Sequence, residues 1–389
     1  MSCHYKRIRR LWQRAEARLA RGRKAWHIRG MNIAVAVSGG TDSLYALLAL
    51  REAGHEVSAL HARFLPASAT DPAPDLAALC SRLGLPLRVV DLTDDFERLV
   101  IAPFADEHRR ARTPNPCALC NRAMKFGRLL DEALTPSDGS AAADALATGH
   151  YAALVAHPVY GPALRAGEDA TKDQSYFLAL TPIERLRRCV FPLAETRKAD
   201  IRAWLAAHGE TPPLPRESQE ICFVPADDHR AFLLGRAEAR GESLPGPGPV
   251  ILDAPRDPRH ETAIAEHRGL WRYTEGQRKG LGIAWSEPLF VVRRDRDRNA
   301  LIVGGRDKVQ VTECAADALN LLVAPTLWPS RLKVRTRYRQ APAPAEARVE
   351  NGRLHICFAA PQPAPAPGQV AAVYDERGFV LGGGILCES

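Results

Sequence analysis

Apolar residues run almost unbroken over Asn32-Ile-Ala-Val-Ala-Val37, the pattern of a strand buried on both faces. Ser38-Gly39-Gly40 interrupts it. From Asp42 to Ala53 the apolar positions Leu44, Leu47, Leu48 and Leu50 then predict a helix. Glu56–Leu60, Leu87–Val90 and Ala145–Thr148 read as further strands, and Asp75–Leu83 as a second helix. Strands alternating with helices predict an α/β fold with a doubly wound parallel sheet. After about residue 225 the pattern changes to short alternating runs: Leu289–Arg293, Ala300–Val303, Arg331–Tyr338, Leu354–Phe358, Val370–Tyr374 and Val380–Leu386. Proline clusters at 245–249, 341–345 and 361–367 separate them, so this half reads as a small β-barrel with the alanine-proline stretches as loop filler.

A chain of 389 residues is long enough for two or three domains. No apolar run approaches the ~18 residues of a membrane span, so no membrane partner is expected. Nine cysteines, scattered and odd in number, do not read as a disulfide scaffold and point to a reducing, cytoplasmic setting. The net charge of +8 is concentrated: residues 1–30 hold ten of the 53 Lys/Arg and one of the 45 Asp/Glu, Glu16. Within that arm Ile8, Leu11, Trp12, Ala15 and Leu19 follow helical spacing between arginines. It reads as a solvated extension or a start set upstream of Met31, with a polyanion-binding arm and a transit peptide as the other readings.

Ser38-Gly39-Gly40-Thr41-Asp42-Ser43 lies between a buried strand and a helix, where glycines let backbone N–H groups and the helix N-terminus meet an anion. It lacks the Gly-Lys-Ser/Thr ending of a Walker A loop. SGGxDS instead resembles the loop of the PP-loop ATP pyrophosphatases, which split ATP to AMP and pyrophosphate. A second cluster, Thr113-Pro-Asn-Pro-Cys117-Ala-Leu-Cys120-Asn121, holds a Cys-x-x-Cys pair: a redox pair, half a metal site, or two unrelated thiols. Cys222 lies in Glu217-Ser-Gln-Glu-Ile-Cys-Phe-Val224. The remaining six cysteines have neighbours typical of core or loop positions.

Taken together, SGGTDS, RTPNPCALCNRAMKFG, ATGHYA, KDQSYFL, SQEICFV, EHRGLWRYTEGQRKGLGIA, KVRTRYRQ and PGQVAAVYDERGFVLGGGIL resemble, in order over residues 31–389, the bacterial tRNA-specific 2-thiouridylase family. The resemblance implies a PP-loop domain (31–225, adenine nucleotide α-hydrolase-like), a small central domain (226–288) and a C-terminal β-barrel that grips tRNA (289–389), behind the extension 1–30. It implies an ATP-dependent enzyme that makes 2-thiouridine at the tRNA wobble position, with magnesium on the phosphates and a sulfur-donor protein as a further partner. Adenylation of the uracil C2 oxygen makes AMP the leaving group, and a cysteine persulfide supplies the sulfur nucleophile.

By that resemblance Cys222 carries the persulfide, and Cys120 is the nucleophile that assists sulfur release and can pair with it in a disulfide. Ala36, Val37, Ser38, Gly39, Gly40, Thr41, Asp42, Ser43, Ala62 and Gly149 match the ATP site. Asn115, Pro116 and Cys117 match the segment that meets the target base, and His150, Lys172, Asp173, Gln174, Arg337, Tyr338 and Gln369 match tRNA-contacting positions.

The chain departs from the family pattern in three places. Thr41 and Leu44 stand where Val and Ser are usual. Ala62-Arg-Phe-Leu-Pro66 lacks the usual Met…Asn-Trp, which puts adenine contacts there in doubt. Cys117 replaces an Asp, and with Cys120 and Cys222 it makes a third thiol that suggests a [4Fe–4S] cluster as an alternative sulfur route. The competing functions are another PP-loop enzyme, such as a 4-thiouridine or lysidine synthase, and a catalytically silent tRNA-binding protein.

Overall fold

A computed structural model describes residues 30–66, 71–214 and 221–388. Readings placed on residues 1–29, the basic arm and Cys3 among them, and on Glu217–Glu220 lie outside the described residues. Strands β1 (Asn32–Ala36), β2 (Glu56–Arg63), β3 (Leu87–Asp91), β4 (Ala145–Ala147) and β7 (Cys189–Val190) form one sheet of order β3-β2-β1-β4-β7, with every pairing parallel.

The continuous apolar run of β1 follows from this central place. Ile33 and Val35 face a layer holding Leu44, Leu47 and Leu48 of helix Thr41–Glu52, Leu76 of helix Ala73–Leu83 and Ile201 of helix Lys198–Ala207. Ala34 faces the opposite layer of Phe96, Phe104, Met124 and Phe126. Helices on both faces make the sheet doubly wound, as the alternation of elements predicts.

That second layer contains the cysteine turn. Pro116–Cys120 is one short helical turn that widens into a π-helical stretch, Asn121–Leu129, interrupted at Gly127 (φ −98°, ψ −105°). The carbonyls freed there are taken by Arg185, whose Nε and Nη2 donate to Phe126 and Gly127 at 2.7 Å each.

A closed six-stranded barrel follows, β12-β15-β14-β13-β16-β17, over Gln310–Leu321, Arg353–Pro363, Ala343–Glu350, Leu332–Arg335, Val370–Asp375 and Val380–Leu386. Two expectations are corrected here. The runs near 290 and 300 are not barrel strands: β10 (Phe290–Asp295) and β11 (Ala300–Gly304) pair with each other, and β11 runs parallel to β8 (Gly248–Asp253) in a separate four-stranded sheet with β9 (Ala263–His267). The central unit therefore extends through Gly304 and the barrel begins at Gln310. The alanine-proline stretch at 341–345 is not loop filler either, because Ala343–Glu350 is a barrel strand with Ala343 and Ala345 turned to the interior.

The barrel is sealed to the first domain by the segment 173–181, which follows the hairpin β5 (Ala152–His157) and β6 (Gly161–Ala166). Tyr176 is fully buried and its hydroxyl donates to Val370 O at 2.9 Å. Asn320 Nδ2 donates to Ala179 O and Thr181 O at 2.9 and 3.0 Å. One apolar core thus runs from Phe96 through Tyr176 to Val370 and Tyr374, so burial joins the two domains as one packed body.

Candidate active site

The C-terminal ends of parallel strands form the usual ligand crevice of such sheets, and here they bring Val37, Ser38 and the Thr148–His150 segment together. Gly39 takes φ +81°, open to glycine at no steric cost. Gly149 lies so close to the loop that a Cβ there would stand 3.0 Å from Asp42 Cβ and 3.1 Å from Ser43 N. The helix Thr41–Glu52 starts at Gly40 with no side-chain cap, so its first N–H groups remain available to an anion. Ser43 Oγ donates to Gly40 O at 2.9 Å and accepts from Ser38 N at 3.2 Å, which fixes the loop's shape.

Asp42 is held from two sides. Its Oδ1 accepts from Tyr151 Oη at 2.8 Å and from Lys198 Nζ at 2.6 Å. Lys198 opens its helix, and its own N–H donates to Asp169 at 3.0 Å. A cation and a carboxylate at the mouth of an uncapped helix suit a magnesium-bound triphosphate: Asp42 would hold the metal, and the loop amides and Lys198 the phosphate oxygens. Ala62 sits at the end of β2 among partly buried apolar residues with Phe64 and Leu65, and Phe64 stacks on Phe96 at 5.2 Å.

The three thiols differ in their surroundings. Cys117 and Cys222 are exposed, whereas Cys120 is buried among Ala118, Met124 and Phe126. The Cys120 thiol is pushed up to about 12, chiefly by burial, with Lys125 opposing the shift and the nearby Cys222 and Cys117 adding to it. Although part of each residue is exposed, packing around the sulfurs also raises the Cys117 and Cys222 thiols, with Lys125 again opposing and Cys117 adding to the rise at Cys222. The three thiols thus share one electrostatic neighbourhood. Among the described residues no group of three His, Cys, Asp or Glu is arranged to hold a metal ion.

Asn115 shapes the turn, its Oδ1 accepting from Ala118 N at 3.0 Å, and Pro116 is buried beside it. Several residues matched to tRNA contacts are engaged inside the protein. His150 is buried, with Nδ1 2.8 Å from Thr148 Oγ1 and Nε2 3.2 Å from Asn121 Oδ1, and burial drives its pKa well below the usual imidazole value. Asp173 is buried and accepts from Gly167 N, Ser175 N, Ser175 Oγ and Arg335 Nη1. Gln174 Oε1 accepts from Tyr151 N at 3.0 Å. Arg337 donates to Glu275 O and Ala364 O, and Gln369 to Thr113 O and Pro114 O. Lys172 and Tyr338 are half-buried, Tyr338 with its ring 4.3 Å from that of Phe177.

Reasoning from sequence missed Lys198 and Tyr151. Tyr151 was within reach as the residue after Gly149-His150, but Lys198 lies 156 positions from Asp42 with no local signature.

A phosphate loop on a parallel sheet, a carboxylate and a cation at its mouth, and thiols beside the same sheet define a PP-loop enzyme that uses ATP. Its parts match the models of the tRNA methyl transferase HUP domain over residues 31–226, the tRNA methyl transferase PRC-barrel domain over 250–305, and the aminomethyltransferase β-barrel domain over 311–386. The tRNA-specific 2-thiouridylase MnmA of Nitratidesulfovibrio vulgaris is 53% identical over 92% of this chain and 99% of that relative. That of Lawsonia intracellularis is 47% identical over 92% and 99%. The chain belongs to the MnmA family of tRNA-specific 2-thiouridylases. Among solved structures, the U34-tRNA thiolase NcsA from Methanococcus maripaludis, described with its [4Fe–4S] cluster, aligns at 15% identity over 59% of this chain and 73% of that chain; its TM-score of 0.35 is too low to bear on the chemistry here.

Proposed function

We propose that this enzyme converts the wobble uridine of tRNA to 2-thiouridine. The observation that carries the reading is the ATP loop at the end of β1 with Cys120 in the core layer packed against that strand, Cys117 in the same helical turn and Cys222 near enough to raise the Cys120 thiol. The uracil C2 oxygen attacks the α-phosphorus of ATP and displaces pyrophosphate. Ser38–Ser43 and Gly149 would hold the phosphates, Asp42 would hold magnesium, and Lys198 would bind a phosphate oxygen. Magnesium, when bound, supplies positive charge against the charge developing on the phosphates.

Sulfur then arrives from a Cys222 persulfide, passed on by a donor protein. The terminal sulfur attacks C2 and AMP leaves. A Cys120 thiolate attacks Cys222 Sγ, so the S–S bond breaks toward the base and leaves its sulfur on C2. A Cys120–Cys222 disulfide remains, and an external dithiol reduces it. Since Cys120 starts as a buried neutral thiol, its proton must be lost as substrate enters, with Lys125 as the cation that favours the thiolate. Asn115-Pro116-Cys117 faces the base. Lys172, Gln174, Arg337, Tyr338 and Gln369 are the half-buried groups that can meet tRNA, while the buried His150 and Asp173 act by shaping what lies beneath them.

No helix among the described residues is long and apolar enough to cross a membrane. Because the proposed substrate is tRNA, we place the reaction in the cytoplasm. Nucleoside analysis of tRNA from cells lacking the gene tests the reading. Loss of wobble 2-thiouridine is expected, and unchanged 2-thiouridine overturns it. ATP–pyrophosphate exchange that needs tRNA separates the enzyme from a silent tRNA binder. Anaerobic purification separates the two sulfur routes. Iron-free protein that is active with a persulfide donor is expected, whereas stoichiometric iron and sulfide lost in Cys117→Ser establishes the cluster route instead.

A further inference from the structure

Thr113 stands four residues before Cys117, and every polar atom it owns is engaged by another part of the chain. Its N–H donates to Pro367 O at 2.7 Å and its carbonyl accepts from Gln369 Nε2 at 3.1 Å, both from the segment leading into barrel strand β16. Its hydroxyl accepts from Arg294 Nη2 at 3.0 Å and lies 3.3 Å from Thr274 Oγ1, both in the central unit. Gly368, at φ +93°, passes so close that a Cβ there would sit 3.1 Å from the Thr113 backbone. Arg294 is itself rigidly placed. Its side chain has no exposed area, Nε and Nη2 donate to Glu275 at 2.9 and 2.6 Å, and Nη1 donates to Tyr273 O at 2.8 Å.

Between Thr113 and Cys117 the chain has little slack. Pro114 and Pro116 have fixed φ, and Asn115 is tied to Ala118 N. A shift at Thr113 therefore passes to the thiols rather than dissipating in the loop. We propose that Thr113 is a positioning residue through which the central sheet and the barrel set the placement of the Cys117–Cys120 turn for sulfur transfer. The idea rests on the thiolation reading and goes beyond it. The two accessory units do more than hold tRNA; the hydrogen bonds to Thr113 register their position onto the reacting thiols.

Thr113→Val keeps the shape and removes the hydroxyl, and Thr113→Ser restores it. Three quantities are measured on the full chain: single-turnover 2-thiouridine formation at saturating ATP and tRNA, tRNA affinity, and the rate of Cys117 alkylation by iodoacetamide without substrates. For Thr113→Val the turnover rate is expected to fall roughly ten-fold or more. Its tRNA affinity stays within about two-fold, because no phosphate contact is removed, and Cys117 alkylates faster as the turn loosens. Thr113→Ser returns both rates to wild type. Wild-type turnover and alkylation in Thr113→Val overturn the proposal, as does a Ser variant as impaired as Val, or a loss confined to tRNA affinity. If the wild-type enzyme makes no 2-thiouridine the functional reading fails, while the alkylation comparison still decides the role of Thr113.

Discussion

Lys198→Met removes one cation and keeps an unbranched side chain of similar length, so its effect can be apportioned. Lys198 Nζ lies 2.6 Å from Asp42 Oδ1, with the lysine side chain 10% exposed and the aspartate 31%. Without ATP, the variant leaves Asp42 its Tyr151 hydrogen bond at 2.8 Å and access to water. The destabilisation should therefore be about 1 kcal/mol, near the upper end for solvent-screened pairs, rather than the ~3–5 kcal/mol of a fully buried charge left alone. For a domain of this size that is a drop of roughly 2–4 °C in melting temperature. With ATP bound, the variant also lacks a charge-assisted bond to a phosphate oxygen, worth about 1.5–3 kcal/mol. The corresponding loss in kcat/KM for ATP is roughly ten- to 150-fold. The catalytic effect should thus exceed the stability effect, and the two are measured separately, by tRNA-dependent pyrophosphate release against ATP concentration and by thermal melting. An unchanged kcat/KM for ATP would refute the phosphate role. A melting temperature lowered by about 10 °C or more would show that Lys198 acts chiefly as a structural anchor for Asp42.

Iodoacetamide at pH 8 should label Cys222 and Cys117 well before Cys120, because only about one in ten thousand Cys120 thiols ionises at that pH when burial holds its pKa at about 12; mass spectrometry showing Cys120 labelled first contradicts the buried placement. His108 is buried, and burial with the neighbouring charges of His229 and Arg294 lowers its pKa from 6.5 to about 3. The unfolded chain takes up that proton near pH 6.5 and the folded chain does not, so the stability present above pH 6.5 falls as pH drops toward 3, by up to ~1.4 kcal/mol per pH unit. His108→Leu should flatten that loss, and coincident denaturation curves from pH 7 to 5 would rule it out. A chain starting at Met31 should bind tRNA more weakly and with a shallower salt dependence if the ten basic residues of 1–30 meet phosphates, whereas identical binding across salt marks that segment as inert toward RNA.

What was legible in the sequence is what local chain chemistry determines. The apolar run of β1 and the glycines after it specify a buried strand, a tight turn and an anion-binding helix start within a dozen residues, and the structure builds that unit at Asn32–Glu52. The barrel was only partly legible, because some of its strands turn small residues toward the core beside the larger ones. Gln310–Leu321, at twelve residues the longest strand among the described residues, reads Gln-Val-Thr-Glu-Cys-Ala-Ala-Asp-Ala-Leu-Asn-Leu, and two register shifts break its alternation. Ala343–Glu350 hides its inward positions as alanines beside a proline. Polar residues show a related limit. Asp173 and His150 were matched to tRNA contacts by the resemblance of the motifs around them, and motifs do not reveal the partners that each also finds inside the fold, where a buried polar group left unpaired is costly. The contacts that organise the reaction join positions far apart in the chain: Lys198 to Asp42 across 156 residues and Arg294 to Thr113 across 181. Motifs therefore locate the reacting atoms, while their alignment depends on residues that no motif contains, so mutational tests confined to the ATP loop and the cysteines would leave the source of that alignment untouched.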